Sequence, residues 1–135
     1  SDRGWYGFDC SLYNAARILE LWSRRDALFS AELARLAPNL PTTGEVKVPC
    51  AEEDKLATVA AITEAFADHE SSTIDGVRVR FEKDGLQSGW YLARKSNTEA
   101  ILVMRVEAND QETLDEILAM IDERVSPIID ISKLL

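Results

Sequence analysis

The segment from residue 77 to residue 108, VRVRFEKDGLQSGWYLARKSNTEAILVMRVEA, carries the strongest structural signal in the sequence. Apolar residues occupy every second position from Val77 to Phe81, as in a strand that buries one face. The connection from Asp84-Gly85 to Gly89 is rich in turn residues. Two more strands are predicted, at Trp90 to Arg94 and at Ile101 to Ala108. Because the links between these strands are short, the segment predicts adjacent antiparallel strands.

Helices are predicted on both sides of these strands. Residues Glu52 to Ala67 repeat apolar side chains at helical spacing, on a stripe made of Leu56, Val59, Ile62 and Phe66. Asn109, with Glu112 three residues later, fits a reciprocal cap at the start of another helix. The apolar residues of that helix are Leu114, Ile117, Leu118 and Ile121. Glu45 to Pro49 alternates like a short strand ahead of both helices.

The resulting order, β-α-β-β-β-α, predicts an α+β domain over residues 45–135. We expect an antiparallel sheet of about four strands with two helices on one face. Proline and glycine punctuate residues 38–44, which are interpreted as a linker or hinge. Residues 1–37 are interpreted as a preceding helical segment, in which Ser11 caps a helix that ends near Arg24, Arg25 and Asp26. A shorter helix is predicted from Ser30 to Leu36.

Composition disfavours several classes of partner and site. The 135 residues carry a formal net charge of −9, which repels nucleic-acid phosphates and anionic membranes, so neither is predicted as a partner. Cys10, Cys50 and the single His69 have no metal-ligand spacing, so no metal site is predicted in this chain. The sequence has no apolar run of about 18 residues and no signal-peptide pattern at its start. A cytoplasmic location with reduced thiols is therefore expected.

The loop between the last two predicted strands is Arg94-Lys95-Ser96-Asn97-Thr98-Glu99-Ala100, which locally reverses the acidic character of the chain. Arginine presents a planar fork of donors that fits two oxygens of a phosphate. Small polar side chains and the backbone N–H groups of a tight loop can supply further donors. The loop therefore has the parts of a phosphate cradle. Small polar residues are also typical of a solvated hairpin turn, and this alternative stays open.

The same loop resembles the R-x-S-N-T-E-P signature near the C-terminus of phosphohexomutases. Its setting is similar too, with Asp75-Gly76-Val77-Arg78-Val79 upstream, Gly89-Trp90 just before it and Arg105-Val106-Glu107-Ala108 after it. Trp5-Tyr6-Gly7-Phe8-Asp9, followed by Tyr13-Asn14-Ala15-Ala16-Arg17, resembles the end of the third domain in the bacterial phosphomannomutase/phosphoglucomutase branch. Asn97 favours this branch, because phosphoglucosamine mutases usually have glycine at this place.

The resemblance implies a C-terminal domain with a TATA-box-binding-protein-like fold, whose partners are the remaining domains of the same enzyme. In the family, a phosphoserine passes its phosphoryl group to a hexose phosphate, here a mannose or glucose phosphate. Magnesium assists at that serine, outside the residues of this chain. The C-terminal domain is implied to grip the phosphate that is not being transferred and to close the cleft, which orients the substrate.

The resemblance also assigns roles to individual residues. Arg94 is implied to be the bidentate phosphate clamp. The neutral donors to the same phosphate are implied to be the small polar residues of the loop, Ser96, Asn97 and Thr98. The charged residues that are implied to support the loop are Lys95, Glu99 and Arg105. If Arg94 pairs with Ile101 across the hairpin, Arg105 falls on the same face of the sheet as Arg94.

The sequence departs from the family pattern in two respects. Ala100 stands where the family has proline, which leaves the loop less preorganised. The family's phosphoserine, metal and sugar-recognition loops do not occur in these residues, so no catalytic residue is predicted here and the chain alone is expected to be inactive. Two alternatives stay open, namely a non-catalytic interaction module that keeps the fold and a phosphohexomutase of different sugar specificity.

Overall fold

The computed structural model describes residues 10–26, 28–36 and 39–135. The chain divides into two compact units, Ser1–Asn39 and Leu40–Leu135. The aromatic stretch Trp5 to Asp9, which carries part of the family resemblance, lies outside the described residues. None of the helices in the described parts of the chain is long and apolar enough to cross a membrane.

The described part of the first unit contains two helices, α1 (Ser11–Trp22) and α2 (Phe29–Leu36). Both were predicted, but Ser11 is the first helical residue and Cys10 occupies the capping position, so the predicted cap was wrong. The rings of Trp22 and Phe29 meet edge to face with centroids 4.9 Å apart. Glu32 pairs with Arg35 and Arg25, and these arginines, Arg35 above all, lower the pKa of its carboxyl group.

The second unit is built on an antiparallel sheet. Within the described residues it has five strands in the order β1-β5-β4-β3-β2. Their bounds are β1 (Val46–Pro49), β2 (Ser71–Ser72), β3 (Val77–Lys83), β4 (Leu86–Lys95) and β5 (Ile101–Ala108). The predicted α+β fold is confirmed, but the expected number of about four strands is corrected to five. The missed strand, β2, has only two serine residues and therefore no hydrophobic pattern.

The connection between β3 and β4 is shorter than predicted. Lys83 pairs directly with Leu86, so the turn consists of Asp84 and Gly85 alone. Both residues have positive φ, 56° and 76°, as the two central residues of a type I′ hairpin turn require. The prediction that β4 starts only at Trp90 was wrong, because a register shift after Phe81 lets pairing continue through the residues before Trp90.

Two helices, α3 (Lys55–Ala65) and α4 (Gln111–Val125), cover one face of the sheet, as predicted. The core between helices and sheet is apolar and fully buried at its centre, where Ile62, Phe66, Tyr91, Met104 and Ile121 are all completely inaccessible. Burial also raises the pKa of the Tyr91 hydroxyl group. The chain after α4 returns to this core, where Ile131 and Leu134 are buried.

The cap of α4 differs from the prediction by one residue. Asp110, rather than Asn109, precedes the helix, and its carboxylate accepts a 2.8 Å hydrogen bond from the Thr113 amide. This bond lowers the pKa of Asp110. Asn109 instead donates its side-chain amide to the carbonyl of Gln87. The change has a physical reason, because a carboxylate at the N-terminus of a helix also gains from the helix dipole.

A bidentate ion pair joins the ends of α3 and α4. Arg124 donates to both carboxylate oxygens of Asp68, at 2.6 and 3.1 Å, and also to the carbonyl of Ala65 at 3.0 Å. Its guanidinium lies 5.2 Å from the centre of the Phe66 ring. The hydrogen bond from Arg124, with a smaller contribution from His69, lowers the pKa of Asp68 well below its usual value.

We expect the substitution Asp68→Asn to reduce the free energy of unfolding at neutral pH. A carboxyl group whose pKa is lowered by folding stabilises the protein above its unfolded-state pKa, and this stabilisation disappears as the pH falls through the folded-state value. The loss should therefore shrink steadily as the pH is lowered below about 4. Urea unfolding at a series of pH values measures it. Asp84→Asn, in the exposed turn, is the control, and equal pH dependence in both variants would contradict the prediction.

Candidate functional site

The predicted site residues gather at one end of the sheet. Arg94 and Lys95 are the last two residues of β4, and residues 96–100 lead into β5. A surface cleft of about 300 Å³ lies against this connection. It is lined by Glu45, Lys47, Arg94, Ser96, Asn97, Thr98, Glu99, Ile101 and Val103. The structure therefore brings the predicted clamp, Arg94, and the three predicted neutral donors to one cleft. Lys95 and Arg105 are not among its lining residues.

Ser96 folds the loop on itself. Its hydroxyl oxygen accepts hydrogen bonds from the backbone amides of Thr98, at 3.3 Å, and Glu99, at 3.1 Å. Its own amide donates to the carbonyl of Ile101 at 3.1 Å. A serine hydroxyl has one hydrogen to donate in addition to its two acceptor positions. Ser96 can therefore shape the loop with its oxygen and still donate its hydrogen to an anion in the cleft.

The Arg94 side chain is partly exposed and only loosely engaged. The nearest carboxylate oxygen, from Asp75, is 3.9 Å from its guanidinium, which is beyond hydrogen-bond distance. Because Arg94 lines the cleft, its planar donor fork is available to an anion bound there. A phosphate or carboxylate can be bound by two parallel hydrogen bonds in this geometry.

Lys47 is a second cation at the cleft, and the sequence interpretation missed it. Lys47 pairs with Val103 from one side and Arg94 pairs with Val103 from the other. Residues directly opposite one another share a sheet face, so Lys47 and Arg94 flank Val103 on the face that the helices leave open. The alternation of β1 pointed Lys47 outward, but no sequence signal showed that β1 would pair with β5.

Glu99 forms an ion pair with Lys47 at the edge of the cleft. Its carboxylate oxygens lie 2.9 and 3.2 Å from the Lys47 ammonium. This contact ties the loop to β1, and both side chains remain about half exposed. Glu45 adds a second carboxylate to the rim. The two cations of the cleft are therefore balanced by two carboxylates, and an anion must compete with Glu99 for Lys47.

Arg105 lies on the predicted face but away from the loop. Arg94 pairs with Val103 rather than Ile101, so the predicted register was wrong by two residues. Arg105 pairs with Leu92, forms an ion pair with Glu107 at 2.9 Å, and stacks 5.6 Å from the centre of the Trp90 ring. A shift of two residues preserves the face of every side chain, which explains why the face was predicted correctly and the position was not.

Lys55 lies behind the loop and was also missed. Its ammonium donates to the carbonyls of Ser96 and Glu99 and to the carboxylate of Glu52. The buried stripe of α3 runs through Lys55, Val59, Ile62 and Phe66, in steps of four, three and four residues. Leu56, predicted on this stripe, is 69% exposed. The first buried residue of the stripe is therefore Lys55, whereas the periodicity predicted Leu56.

Gly76 permits the close approach of the 75–76 loop to Arg94. It has a φ of +78°, and a Cβ atom at this position would lie 2.6 Å from the Arg94 Cα and 2.7 Å from its Cβ. Gly85 has nearly the same φ, +76°, but an added Cβ there meets nothing within 4 Å. The two glycines therefore share one conformational requirement and differ only in crowding.

We expect Gly76→Ala to destabilise the protein more than Gly85→Ala and to displace Arg94. The left-handed conformation costs a non-glycine residue about 1 kcal/mol in both variants, whereas crowding adds roughly 1–3 kcal/mol at Gly76 alone. Urea unfolding gives the difference, and amide chemical shifts of Arg94 and its neighbours report the displacement. Equal losses of stability in the two variants would show that the contact with Arg94 imposes no constraint.

A larger cleft of about 390 Å³ lies elsewhere in the second unit, between β3 and α4. Its charged lining residues are of both signs: Asp68, Glu70, Arg80, Glu82, Lys83 and Glu116. Several of these already pair with one another or with nearby residues, as Arg80 does with Glu70 and Glu82. The cleft thus lacks the convergent set of donors found beside Arg94, and the loop stays the candidate site.

Comparisons with known proteins identify the family of this chain. The sequence pattern of the family described as "Phosphoglucomutase/phosphomannomutase, C-terminal domain" matches residues 45–124. The chain is 35% identical over 132 residues to a phosphomannomutase/phosphoglucomutase of Pseudomonas syringae, covering 94% of this chain and 27% of that protein. It is 37% identical to a phosphoglucomutase of Neisseria meningitidis, covering 84% of this chain and 24% of that protein. The chain thus spans about a quarter of the length of these curated relatives.

A solved structure of a protein from the same family also matches this chain. The crystal structure of a phosphoglucomutase/phosphomannomutase family protein from Burkholderia thailandensis superposes with a TM-score of 0.68 at 30% sequence identity. The match covers 92% of this chain and 25% of that protein. At this identity and TM-score the likeness extends beyond one strand or helix to the arrangement of the elements.

Proposed function

The chain belongs to the phosphoglucomutase/phosphomannomutase family, and we propose that it is the phosphate-binding C-terminal part of a phosphomannomutase/phosphoglucomutase. In this proposal the complete enzyme is a cytoplasmic isomerase that interconverts hexose 1- and 6-phosphates. Its substrates are mannose and glucose phosphates, and the remaining domains of the enzyme are the partners of this one. The cleft beside Arg94 holds the phosphate that is not being transferred.

One observation carries the proposal, namely the convergence of Arg94, Ser96, Asn97 and Thr98 on a single cleft. In a chain with a formal net charge of −9, a cleft that combines an arginine fork with hydroxyl and amide donors is suited to a small, multiply charged anion. Phosphate offers enough oxygen acceptors to use these donors together. The hexose itself makes contacts beyond these residues, so sugar specificity is assigned to other parts of the enzyme.

The binding chemistry follows from the side chains. Arg94 donates two parallel hydrogen bonds to two phosphate oxygens, and the Ser96 hydroxyl, the Asn97 amide and the Thr98 hydroxyl donate to the others. Lys47 contributes charge once the phosphate competes with Glu99. Binding energy gained at this non-reacting phosphate holds the substrate in position, so that its other end meets the phosphoserine in the correct orientation.

Magnesium belongs to another part of the enzyme in this proposal. In residues 10–26, 28–36 and 39–135, no group of three or more His, Cys, Asp or Glu side chains is arranged to hold a metal ion. We therefore assign no metal ligand among these described residues. When bound near the phosphoserine, the metal supplies electrostatic stabilisation of the transferring phosphoryl group, whereas the residues described above only bind and orient the substrate.

Titration with phosphate tests the proposed grip. We expect inorganic phosphate and glucose 1-phosphate to shift the backbone amides of residues 94–99, with weak affinity because the rest of the cleft is missing. Arg94→Ala removes a charged hydrogen-bonding partner, a loss of about 1.5–3 kcal/mol, and should weaken binding roughly 10- to 100-fold. Two-dimensional NMR of the labelled chain measures both effects.

Arg78→Ala is the matched control for this titration. Arg78 carries the same charge on the same open face of the sheet, but its guanidinium lies over the Trp90 ring, 4.8 Å from the centroid. Its removal should leave the phosphate affinity within about twofold, since exposed charges are largely screened. An equal loss of phosphate affinity in both variants would show that phosphate is attracted by overall positive charge and not by a specific site at Arg94. Absence of amide shifts in the unaltered chain would favour the non-catalytic interaction module.

We further expect the 135-residue chain to show no mutase activity by itself. The proposed function gives it no phosphoryl donor, and its described residues bind only the phosphate that stays in place. A coupled assay for the conversion of glucose 1-phosphate to glucose 6-phosphate, with and without magnesium, measures this directly. Turnover above the uncatalysed rate would require a catalytic centre within these residues and would overturn the assignment.

A further inference from the structure

The ammonium group of Lys55 is buried beneath the loop that forms the phosphate cleft. The side chain is 1% exposed, and Lys55 is the one charged residue among the fully buried side chains of the described chain. Its Nζ lies 2.9 Å from the Ser96 carbonyl oxygen and 2.6 Å from the Glu99 carbonyl oxygen. The third partner is the carboxylate of Glu52, whose side chain is 74% exposed.

This arrangement satisfies the lysine completely. An ammonium group has three hydrogens and no acceptor position, and Lys55 has three oxygen partners. A buried charge is strongly destabilising unless it is paired and hydrogen-bonded. Two of the partners are backbone carbonyls three residues apart in the same loop. Lys55 therefore fixes the path of the chain between Ser96 and Glu99 as well as neutralising a carboxylate.

The position of these carbonyls determines which groups face the cleft. Lys55 does not line the cleft, so the Ser96 carbonyl points behind the loop toward α3. In a trans peptide the C=O and N–H bonds point in opposite directions, so the N–H of Asn97 is directed away from Lys55. Asn97 itself lines the cleft. By holding this carbonyl, Lys55 keeps an acceptor that would repel phosphate turned away from the anion.

We propose that Lys55 is a positioning residue of the phosphate site, which holds the loop of residues 96–99 in its anion-binding form from behind. This inference rests on the proposed function, since it gives a role in phosphate binding to a side chain that cannot touch the phosphate. Without the ammonium, the Ser96 and Glu99 carbonyls lose a common partner and the loop samples other conformations. The apparent dissociation constant rises in inverse proportion to the fraction of chains whose loop is competent to bind.

The test compares Lys55→Met with Lys83→Met in the 135-residue chain. Both variants remove one positive charge, but Lys83 is exposed at the far end of β3 and lies 3.8 Å from Glu116. Inorganic phosphate is titrated while amide shifts of the loop are followed, and amide hydrogen exchange is measured without ligand. We expect Lys55→Met to weaken phosphate binding about 10-fold or more, as a fall of the competent fraction to about a tenth requires, and Lys83→Met to leave it unchanged.

Hydrogen exchange separates positioning from a general loss of structure. In Lys55→Met the Ser96 and Ile101 amides, which bond within the loop, should exchange faster, while amides of β3 and α4 keep their protection. Arg94→Ala should weaken phosphate binding without faster exchange in the loop. Unchanged affinity and unchanged exchange in Lys55→Met, with phosphate still bound by the unaltered chain, would overturn the positioning role alone. No phosphate binding by the unaltered chain would overturn the proposed function.

A measurement on the unaltered chain covers the case in which Lys55→Met fails to fold. The ¹⁵N-labelled ammonium of a buried, hydrogen-bonded lysine exchanges slowly enough to be observed directly. We expect the Lys55 signal to shift on addition of phosphate with the same dissociation constant as the amides of Ser96 and Glu99. A Lys55 signal that stays fixed while those amides respond would show that the lysine is uncoupled from the site and would overturn the proposal.

Discussion

The double pairing of β5, with β4 on one side and β1 on the other, is the constraint on which the rest of the domain depends. It places Val103 between Arg94 and Lys47 and, on the opposite face, completes the buried layer that contains Met104 and Tyr91. A slip of one residue would exchange the two faces and bury the arginine. The same register therefore buries the apolar face of the sheet and places Arg94 and Lys47 on either side of Val103. A change of register would alter both the core and the cleft.

The core accepts one charged residue where α3 meets the loop. Lys55 continues the buried stripe of Val59, Ile62 and Phe66. Its ammonium group donates hydrogen bonds to the carbonyls of Ser96 and Glu99. The apolar stem of a lysine can pack as a hydrophobic side chain while its head finds polar partners. The helix that covers the sheet thereby also contacts the loop after Arg94. In this domain, a single side chain takes part both in core packing and in holding that loop.

Local patterns allowed much of this structure to be predicted. Alternation gave β1 and β3, helical spacing gave α3 and α4, and the polar loop after Arg94 lies at the cleft that forms the candidate site. The features that the predictions missed have no local sequence pattern. The strand of Ser71 and Ser72 has no apolar signal, and the pairing of β1 with β5 joins residues more than fifty positions apart. Lys47 and Lys55 could not be recognised, because the partners that define their roles are distant in sequence.

The ion pair between Glu99 and Lys47 has a consequence for ligand choice. A tethered carboxylate already occupies the second cation, so an incoming anion must perform better than a group whose local concentration is fixed by the chain. Singly charged anions gain little by this exchange, because an exposed ion pair of this type contributes about 0–1 kcal/mol and offers no further donors. A dianion that engages Arg94 at the same time gains from both cations. Under the proposed function, the loop thus carries an internal competitor, which should favour dianions over singly charged anions before the shape of any sugar is considered.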